Sequence, residues 1–266
     1  MGTKPLNLPL TMLSGQTPQF VWSQEPGGIF KRARGGKIVE LRQENGKLKT
    51  SNQKFAEFTL RVSDDYRKIF KKISTDSFMR TAIKDYEGLR LTQSDLWETI
   101  VCFLLSSNRS IPIIRLNVQE LMKNYGAKIE ELHEFPEPED LAKCTEQDFR
   151  KCKCGFRDKY LLGTTKRVLE RGDLKFSSSA ELKEFLLKCP GIGEKVSECI
   201  LLYGYGDTNA FPLDVWMKRA MSRVYFQGKE FKNEKYLQKA EELWKEYKGF
   251  AQLFLFYEFM TKKQRW

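Results

Sequence analysis

The sequence predicts an α+β fold in which a β-rich N-terminal domain, built on an antiparallel sheet, precedes an all-helical body. The first third clusters β-forming residues among paired glycines and an Asn-Gly turn. From Asp64 onward the apolar spacing becomes helical and stays so. No internal repeat or low-complexity run interrupts either part.

Residues 19–22, 35–41 and 55–62 read as strands, punctuated by Gly27-Gly28 and Gly35-Gly36. Asn45-Gly46, between Leu41 and Leu48, marks a tight hairpin turn. Leu96, Ile100, Phe103 and Leu104 share one helix face, with Thr92 and Asp95 spaced as a capping box before it. Ser110, with Pro112 just inside, opens the next helix, which ends near Tyr125-Gly126. The acidic, proline-bearing stretch 134–140 reads as a loop. Thr145 with Asp148 caps a short helix, and 157–170 forms another. Ser178 with Glu181 opens a helix that stops at Cys189-Pro190, because proline cannot continue it. A Gly191-Ile192-Gly193 turn leads directly into a helix over about 194–203, and further helices cover about 214–224, 233–247 and 249–263.

With 266 residues, 41% hydrophobic and 13% aromatic, the chain can bury a real core, which argues against global disorder. Its formal net charge of +11 points to a polyanionic partner, although a merely lysine-rich soluble protein has the same composition. No stretch reaches the roughly 20 apolar residues of a membrane span. The N-terminus lacks a secretory signal, and Leu6 stands where myristoylation of Gly2 would want Ser or Thr, so an intracellular protein is expected. The cysteines at 102, 144, 152, 154, 189 and 199 are expected as thiols. Cys152-Lys153-Cys154 has no second pair downstream, so zinc or iron–sulfur ligation is poorly supported and no metal site is expected. The one histidine, His133, sits in an expected acidic loop with Glu130, Glu131 and Glu134, which leaves the chemistry to Lys, Asp, Glu, Cys or Tyr.

Helix, Pro190-Gly191-Ile192-Gly193, helix is the most informative local pattern. Two glycines allow a tight turn with exposed amides, and the free N–H groups and dipole of the second helix suit a DNA phosphate. An ordinary helix–helix connection has the same pattern. A nucleotide-binding P-loop does not, since Gly193-Glu194-Lys195-Val196 lacks both the long glycine spacing and a hydroxyl residue after the lysine.

The run from Pro190 to Cys199, followed by Phe211-Pro212-Leu213-Asp214-Val215, resembles the helix-hairpin-helix, Gly/Pro, Asp signature of the DNA glycosylase superfamily. Lys195 and Cys199 within it are similar to the 8-oxoguanine DNA glycosylase/AP lyase branch. Four more segments resemble that branch, in order: Ser14-Gly15-Gln16 with Phe20 and Trp22; Gly88-Leu89-Arg90-Leu91 leading to Ser106-Ser107-Asn108; Gly155-Phe156-Arg157; and Gly249-Phe250-Ala251-Gln252 with Phe256. The resemblance covers most of the chain. It implies a TBP-like antiparallel sheet over residues 1–86. It also implies a helical domain of 87–109 with 195–266, and a second helical domain of 110–194 ending in the hairpin.

A lysine near a helix start has its ammonium disfavoured by the dipole and by partial desolvation. The resemblance makes Lys195 the nucleophile that attacks C1′ of the sugar, displaces the base and forms a Schiff base open to β-elimination. Asp214, after a proline and before an apolar helix, is by chemistry an N-cap fixed by two backbone amides. By resemblance it also stabilises positive charge on the sugar and helps deprotonate Lys195. Cys199, four residues after Lys195, shares its helix face and is either a small buried residue or one wall of a base pocket. Phe256 would be the opposite wall or plain core, and Gln252 would bond the purine's Watson–Crick edge. The Gly15 carbonyl would accept from N7–H, which 8-oxoguanine has and guanine lacks. Phe156 would wedge into the stack, with Asn108 and Arg157 reading the estranged cytosine.

Four positions depart from the family pattern. Ile113 stands where many relatives carry an arginine, implying relaxed preference for cytosine opposite the lesion. Trp216 stands at an often-histidine position beside the pocket, and Arg109-Ser110 replaces an asparagine pair. The resemblance implies double-stranded DNA carrying 8-oxoguanine as partner, a monomer located with the DNA, whether in cytoplasm, nucleoid or nucleus, and no iron–sulfur cluster; a monovalent cation at the hairpin carbonyls is compatible with it. A monofunctional alkylated-base glycosylase would need no Lys195. A non-catalytic DNA-binding module leaves Cys199, Gln252 and Phe256 unexplained.

Overall fold

In a computed structural model, which describes residues 6–262, two short helices, α1 (Leu8–Met12) and α2 (Pro18–Val21), lead into a four-stranded antiparallel sheet. Its strands β1 (Ser23–Glu25), β2 (Ile29–Arg34), β3 (Lys37–Glu44) and β4 (Lys47–Thr50) lie in chain order, as successive hairpins must. Asn45 (φ 49°) and Gly46 (φ 74°) make the β3–β4 turn in the left-handed region that the Asn-Gly pair supplies.

Helices then run without interruption by a large sheet: α3 (Gln53–Thr59), α4 (Tyr66–Ile73), α5 (Ser77–Asp85), α6 (Leu96–Ser106) and α7 (Ile111–Tyr125). A two-residue ribbon follows, β5 (Lys128–Ile129) with β6 (Leu132–His133), then α8 (Pro138–Leu141), α9 (Glu146–Lys151), α10 (Asp158–Arg171) and α11 (Ser179–Leu187). The last part holds α12 (Glu194–Ile200), extended by a π turn over Leu201–Tyr205, then α13 (Val215–Tyr225), α14 (Asn233–Trp244) and α15 (Lys248–Thr261). The segregated α+β fold is as the sequence predicts. No helix among the described residues is long and apolar enough to cross a membrane.

Several local expectations fail, each because a cap or a distant partner wins. Residues 19–22 are mostly helical: Pro18 opens α2, the Trp22 amide returns to Pro18 O at 3.0 Å, and consecutive Phe20, Val21 and Trp22 are all buried, which no alternating strand allows. Residues 55–59 lie in helix α3 and 60–62 in the turn after it, since the Asn52 side chain caps Phe55 N at 3.1 Å and Phe55, Ala56, Thr59 and Leu60 are buried at helical spacing. Strand β2 carries Arg32 and Arg34 and so hides from a hydrophobicity reading. Its arginines are neutralised by α6: Arg32 pairs with buried Glu98, and Arg34 Nη2 donates to Asp95 at 3.1 Å. That use of Asp95 removes the expected Thr92–Asp95 capping box, while Thr92 N and Oγ1 both donate to Gln16 Oε1, at 2.8 and 3.1 Å. The acidic stretch holds helix α8, closed by a Glu137–Asp140 capping box, and His133 lies in β6 rather than in a loop.

The remaining caps form as expected, with Thr145–Asp148 on α9 and Ser178 on α11. Helix α6 is the central rod. Every residue from Trp97 to Leu105 is buried, so this helix is covered all round and sets the frame for the elements that carry the site.

Candidate active site

The Pro190–Gly193 turn joins α11 to α12 and is sterically forced. Gly191 has φ +81°, and a Cβ there would fall 2.6 Å from the Tyr160 ring. Thr164 Oγ1 holds Pro190 O at 3.1 Å, and Ile192 N returns to Cys189 O at 3.2 Å. Gly193 caps α12 without a side chain, so the first amides of that helix point outward with the positive end of its dipole. Among the described residues no donor reaches the carbonyls of Gly191 and Ile192. These are oxygen ligands of the kind a monovalent cation takes.

Lys195 sits half-buried in the first turn of α12, its Nζ 5.9 Å from the Phe103 ring centroid. Cys199, one turn on, is buried and hydrogen-bonded to it. Burial pushes the Cys199 thiol up to about 11, against the opposing pull of the neighbouring lysine. The lysine itself departs from expectation. Its pKa is raised above the usual value, first by Cys199 and further by Asp214, and these outweigh the burial that pulls it down. Desolvation acts as reasoned from the sequence; the two facing groups reverse its outcome. The resting amine is therefore an ammonium.

Asp214 caps α13, accepting from Met217 N at 2.8 Å. One amide holds it, rather than the two expected, so part of the carboxylate remains for the lysine corner, where its charge is felt by Lys195, Cys199 and Tyr203. The loop before it is pinned by Glu198, which accepts from Phe211 N at 2.9 Å and pairs with Lys183 at 2.9 Å. Helix α12 thus holds both the lysine and the anchor of the aspartate loop.

Tyr203 and Phe103 belong to this corner although the sequence reading did not single them out. Their rings stack at 5.3 Å, and Tyr203 OH donates to buried Gln252 Oε1 at 3.4 Å. The signal was available, since Lys195, Cys199 and Tyr203 recur every four residues on one helix face. Phe256 lies one turn beyond Gln252 on α15, half-buried. Gly15, at φ +83°, lies against it: a Cβ there would come within 3.1 Å of both Phe256 Cε1 and Ile111 Cδ1. The Gly15 amide donates to Gln19 Oε1 at 2.6 Å, and no donor among the described residues takes its carbonyl. Gly15, Gln252, Phe256, Cys199 and Lys195 are thus joined by a continuous chain of contacts through Tyr203 and α15.

Asn108, Phe156 and Arg157 form a second group. Phe156 is 56% exposed on a 3₁₀ turn (Gly155–Arg157) and meets Tyr160 edge-on at 6.1 Å. Arg157 lies buried beneath it, its Cζ 4.1 Å from the Phe156 ring centroid, with its guanidinium on the carbonyls of Ser107 and Cys154. Asn108 is exposed at φ +53°. Ile113, 37% exposed, stands in the first turn of α7. Trp216 is 42% exposed in the first turn of α13, with Arg219 Cζ 5.1 Å from its ring centroid. Cys152 and Cys154 are buried thiols, and among the described residues no three His, Cys, Asp or Glu side chains converge as metal ligands.

Known proteins resemble the chain over most of its length. Residues 101–246 match the family model of the HhH-GPD superfamily base excision DNA repair proteins, and residues 1–100 match that of the 8-oxoguanine DNA glycosylase N-terminal domain. A probable N-glycosylase/DNA lyase of Methanothermobacter thermautotrophicus is 28% identical over 94% of this chain and 92% of its own length. The solved structure of MBOgg1 with a low-affinity DNA ligand superposes with a TM-score of 0.90 at 30% identity, covering 98% of this chain and 94% of that one. Clostridium acetobutylicum 8-oxoguanine glycosylase/lyase, bound to DNA with cytosine opposite 8-oxoG, gives 0.85 at 28% identity, over 96% and 93%. The two family models together span residues 1–246, and the chain belongs to the HhH-GPD superfamily of base excision DNA repair proteins.

Proposed function

We infer that this chain is a bifunctional DNA glycosylase and AP lyase that excises 8-oxoguanine from duplex DNA in base excision repair. The observation that carries the reading is one half-buried lysine, hydrogen-bonded to Cys199 and facing the Asp214 carboxylate, one turn from an uncapped glycine hairpin. A monofunctional glycosylase that activates water needs the aspartate alone; the lysine at this corner favours the covalent route.

In the proposed mechanism the hairpin amides hold a backbone phosphate; the Gly191 and Ile192 carbonyls would hold a monovalent cation, which would supply further positive charge there. The lesion leaves the stack, entering between Cys199 and Phe256. Gln252 bonds its Watson–Crick edge, and the Gly15 carbonyl accepts from N7–H. Asp214 stabilises positive charge growing on the sugar and takes the proton of Lys195. The freed lone pair of Nζ attacks C1′, and the C1′–N9 bond breaks with its electrons going to the base, which leaves protonated. The C1′–O4′ bond then opens, O4′ gains a proton, and a Schiff base forms between C1′ and Nζ. Its electron-withdrawing carbon makes a C2′ proton acidic; loss of that proton expels the 3′ phosphate and nicks the strand. Water hydrolyses the imine and restores Lys195.

Borohydride reduces a Schiff base to a stable amine, so it should trap protein on an 8-oxoguanine duplex. The adduct should vanish in Lys195→Gln, and trapping that persists in this variant would remove Lys195 from the nucleophile's role.

A further inference from the structure

The two ends of the buried Gln252 carboxamide are held differently. Its Oε1 accepts from the Tyr203 hydroxyl at 3.4 Å. Its Nε2 has no acceptor among the described residues and is not sealed from solvent, so the amine end is left open for a ligand. Tyr203 is itself pinned. Its ring stacks on Phe103 at 5.3 Å with 13° between the planes, and its carbonyl accepts from Ser94 N at 2.9 Å in the π turn that extends α12. Burial first, then Cys199 and Asp214, hold the phenol's pKa well above its usual value, so the hydroxyl keeps its proton. Among the described residues that proton has no acceptor other than Gln252 Oε1. If the amide turned over, the phenol oxygen would accept from Nε2 and its own proton would be buried unpaired. That penalty disfavours the turned amide by about fivefold or more.

We propose that Tyr203 is a positioning residue that locks the Gln252 carboxamide in one orientation, so that the pocket tells a guanine-type lesion from an adenine-type one. The inference rests on the excision function proposed above. On guanine, O6 accepts and N1–H donates. On adenine the order is reversed: the N6 amine donates and N1 accepts. A carboxamide has one donor end and one acceptor end, so it can match either order, but only by opposite orientations. A free glutamine turns over and serves both; one held by its oxygen serves a single order. 8-Oxoguanine and 8-oxoadenine both carry N7–H, so the Gly15 carbonyl does not separate them and the choice falls on Gln252. With Nε2 on O6, and Oε1 shared between the Tyr203 hydroxyl and N1–H, both ends of the amide meet a partner. Against adenine the same amide sets donor on donor and acceptor on acceptor.

The test is the ratio of single-turnover excision of 8-oxoguanine to that of 8-oxoadenine, each paired with cytosine. The ease of extruding each base belongs to the DNA and cancels when proteins are compared, and partial unfolding cancels because both rates come from one preparation. Tyr203→Phe keeps the ring and removes the hydroxyl, and the ratio should fall by about fivefold, the worth of one neutral hydrogen bond. A ratio within about twofold of wild type overturns the proposal. In a Gln252→Ala background the same loss of the hydroxyl should leave the ratio unchanged, since Tyr203 acts through Gln252; a change beyond about twofold there also overturns it. In parallel, affinities for the same two duplexes are measured in Lys195→Gln with and without Tyr203→Phe, which requires no cutting. A fivefold fall in that affinity ratio supports the lock even if wild type leaves 8-oxoguanine uncut, a result that would sink the excision reading alone. A fivefold rise keeps the lock but sets it for adenine, which sinks the 8-oxoguanine reading alone. An unchanged affinity ratio with normal excision of 8-oxoguanine sinks the lock alone.

Discussion

Replacing Gly191 by alanine should damage the hairpin far more than the same change at Gly193, two residues away. At Gly191 the added Cβ would lie 2.6, 2.7 and 2.8 Å from Tyr160 Cγ, Cδ2 and Cβ, and the backbone sits at φ +81°. These are the rigid root of an aromatic side chain, not a flexible tip, so the turn itself must move. The left-handed backbone costs about 1–2 kcal/mol for a residue with a Cβ, and overpacking adds about 1–3 kcal/mol. Together they reach about 2–5 kcal/mol, out of a total stability of about 5–15 kcal/mol. For a chain of this size that is a fall in Tm of about 4–20 °C. Gly193 has φ −106° and nothing within 4 Å of where its Cβ would stand, so Gly193→Ala should melt within about 2 °C of wild type. Circular dichroism melts of both variants decide the matter. A double-mutant cycle of Gly191→Ala with Tyr160→Ala should show a coupling of about 1–3 kcal/mol, because removing the ring removes the clash but not the backbone cost. The reasoning is refuted if Gly191→Ala melts within about 2 °C of wild type, or if the two glycine variants lose equal stability.

Asp214 separates its two roles by substitution: asparagine keeps the cap on Met217 N while alanine loses it at about 1 kcal/mol, yet both remove the charge. Single-turnover excision should fall by about 100- to 1000-fold in both, with only alanine lowering Tm, and wild-type excision in Asp214→Asn would show that the charge is not needed. The raised pKa of Lys195 keeps it an ammonium from about pH 6 to pH 8. Because Asp214 takes that proton inside the complex, single-turnover rates should stay level across this range; a climb of about tenfold per pH unit would show that the proton goes to water before attack and not to Asp214.

How much of this was legible in sequence can be followed residue by residue. The Asn45-Gly46 hairpin, the Thr145 and Ser178 caps and the Asp214 cap all formed, because each is a local hydrogen bond or backbone preference between residues two or three positions apart. Residues 55–62 were misread because β-formers outweighed the one residue that mattered, the Asn52 cap. Strand β2 was missed because its arginines find their carboxylates on α6, more than 60 positions away. The hairpin, the lysine and the aspartate were legible as a motif; Tyr203 and Phe103 acquire meaning only from what they touch.

The sequence alone determined the sheet-then-helices order of the two parts, the glycine hairpin and the candidate for the reactive amine, since these depend on residue type and short spacing. Tertiary structure decided the state of that amine. Helix dipole and burial argue for a lysine easily stripped of its proton, but Cys199 and Asp214, brought to it by a helix turn and by a loop pinned on Glu198, hold the proton on. Likewise, only folding sets Tyr203 against Gln252, because side chains 49 positions apart in the chain interact through space and not through sequence.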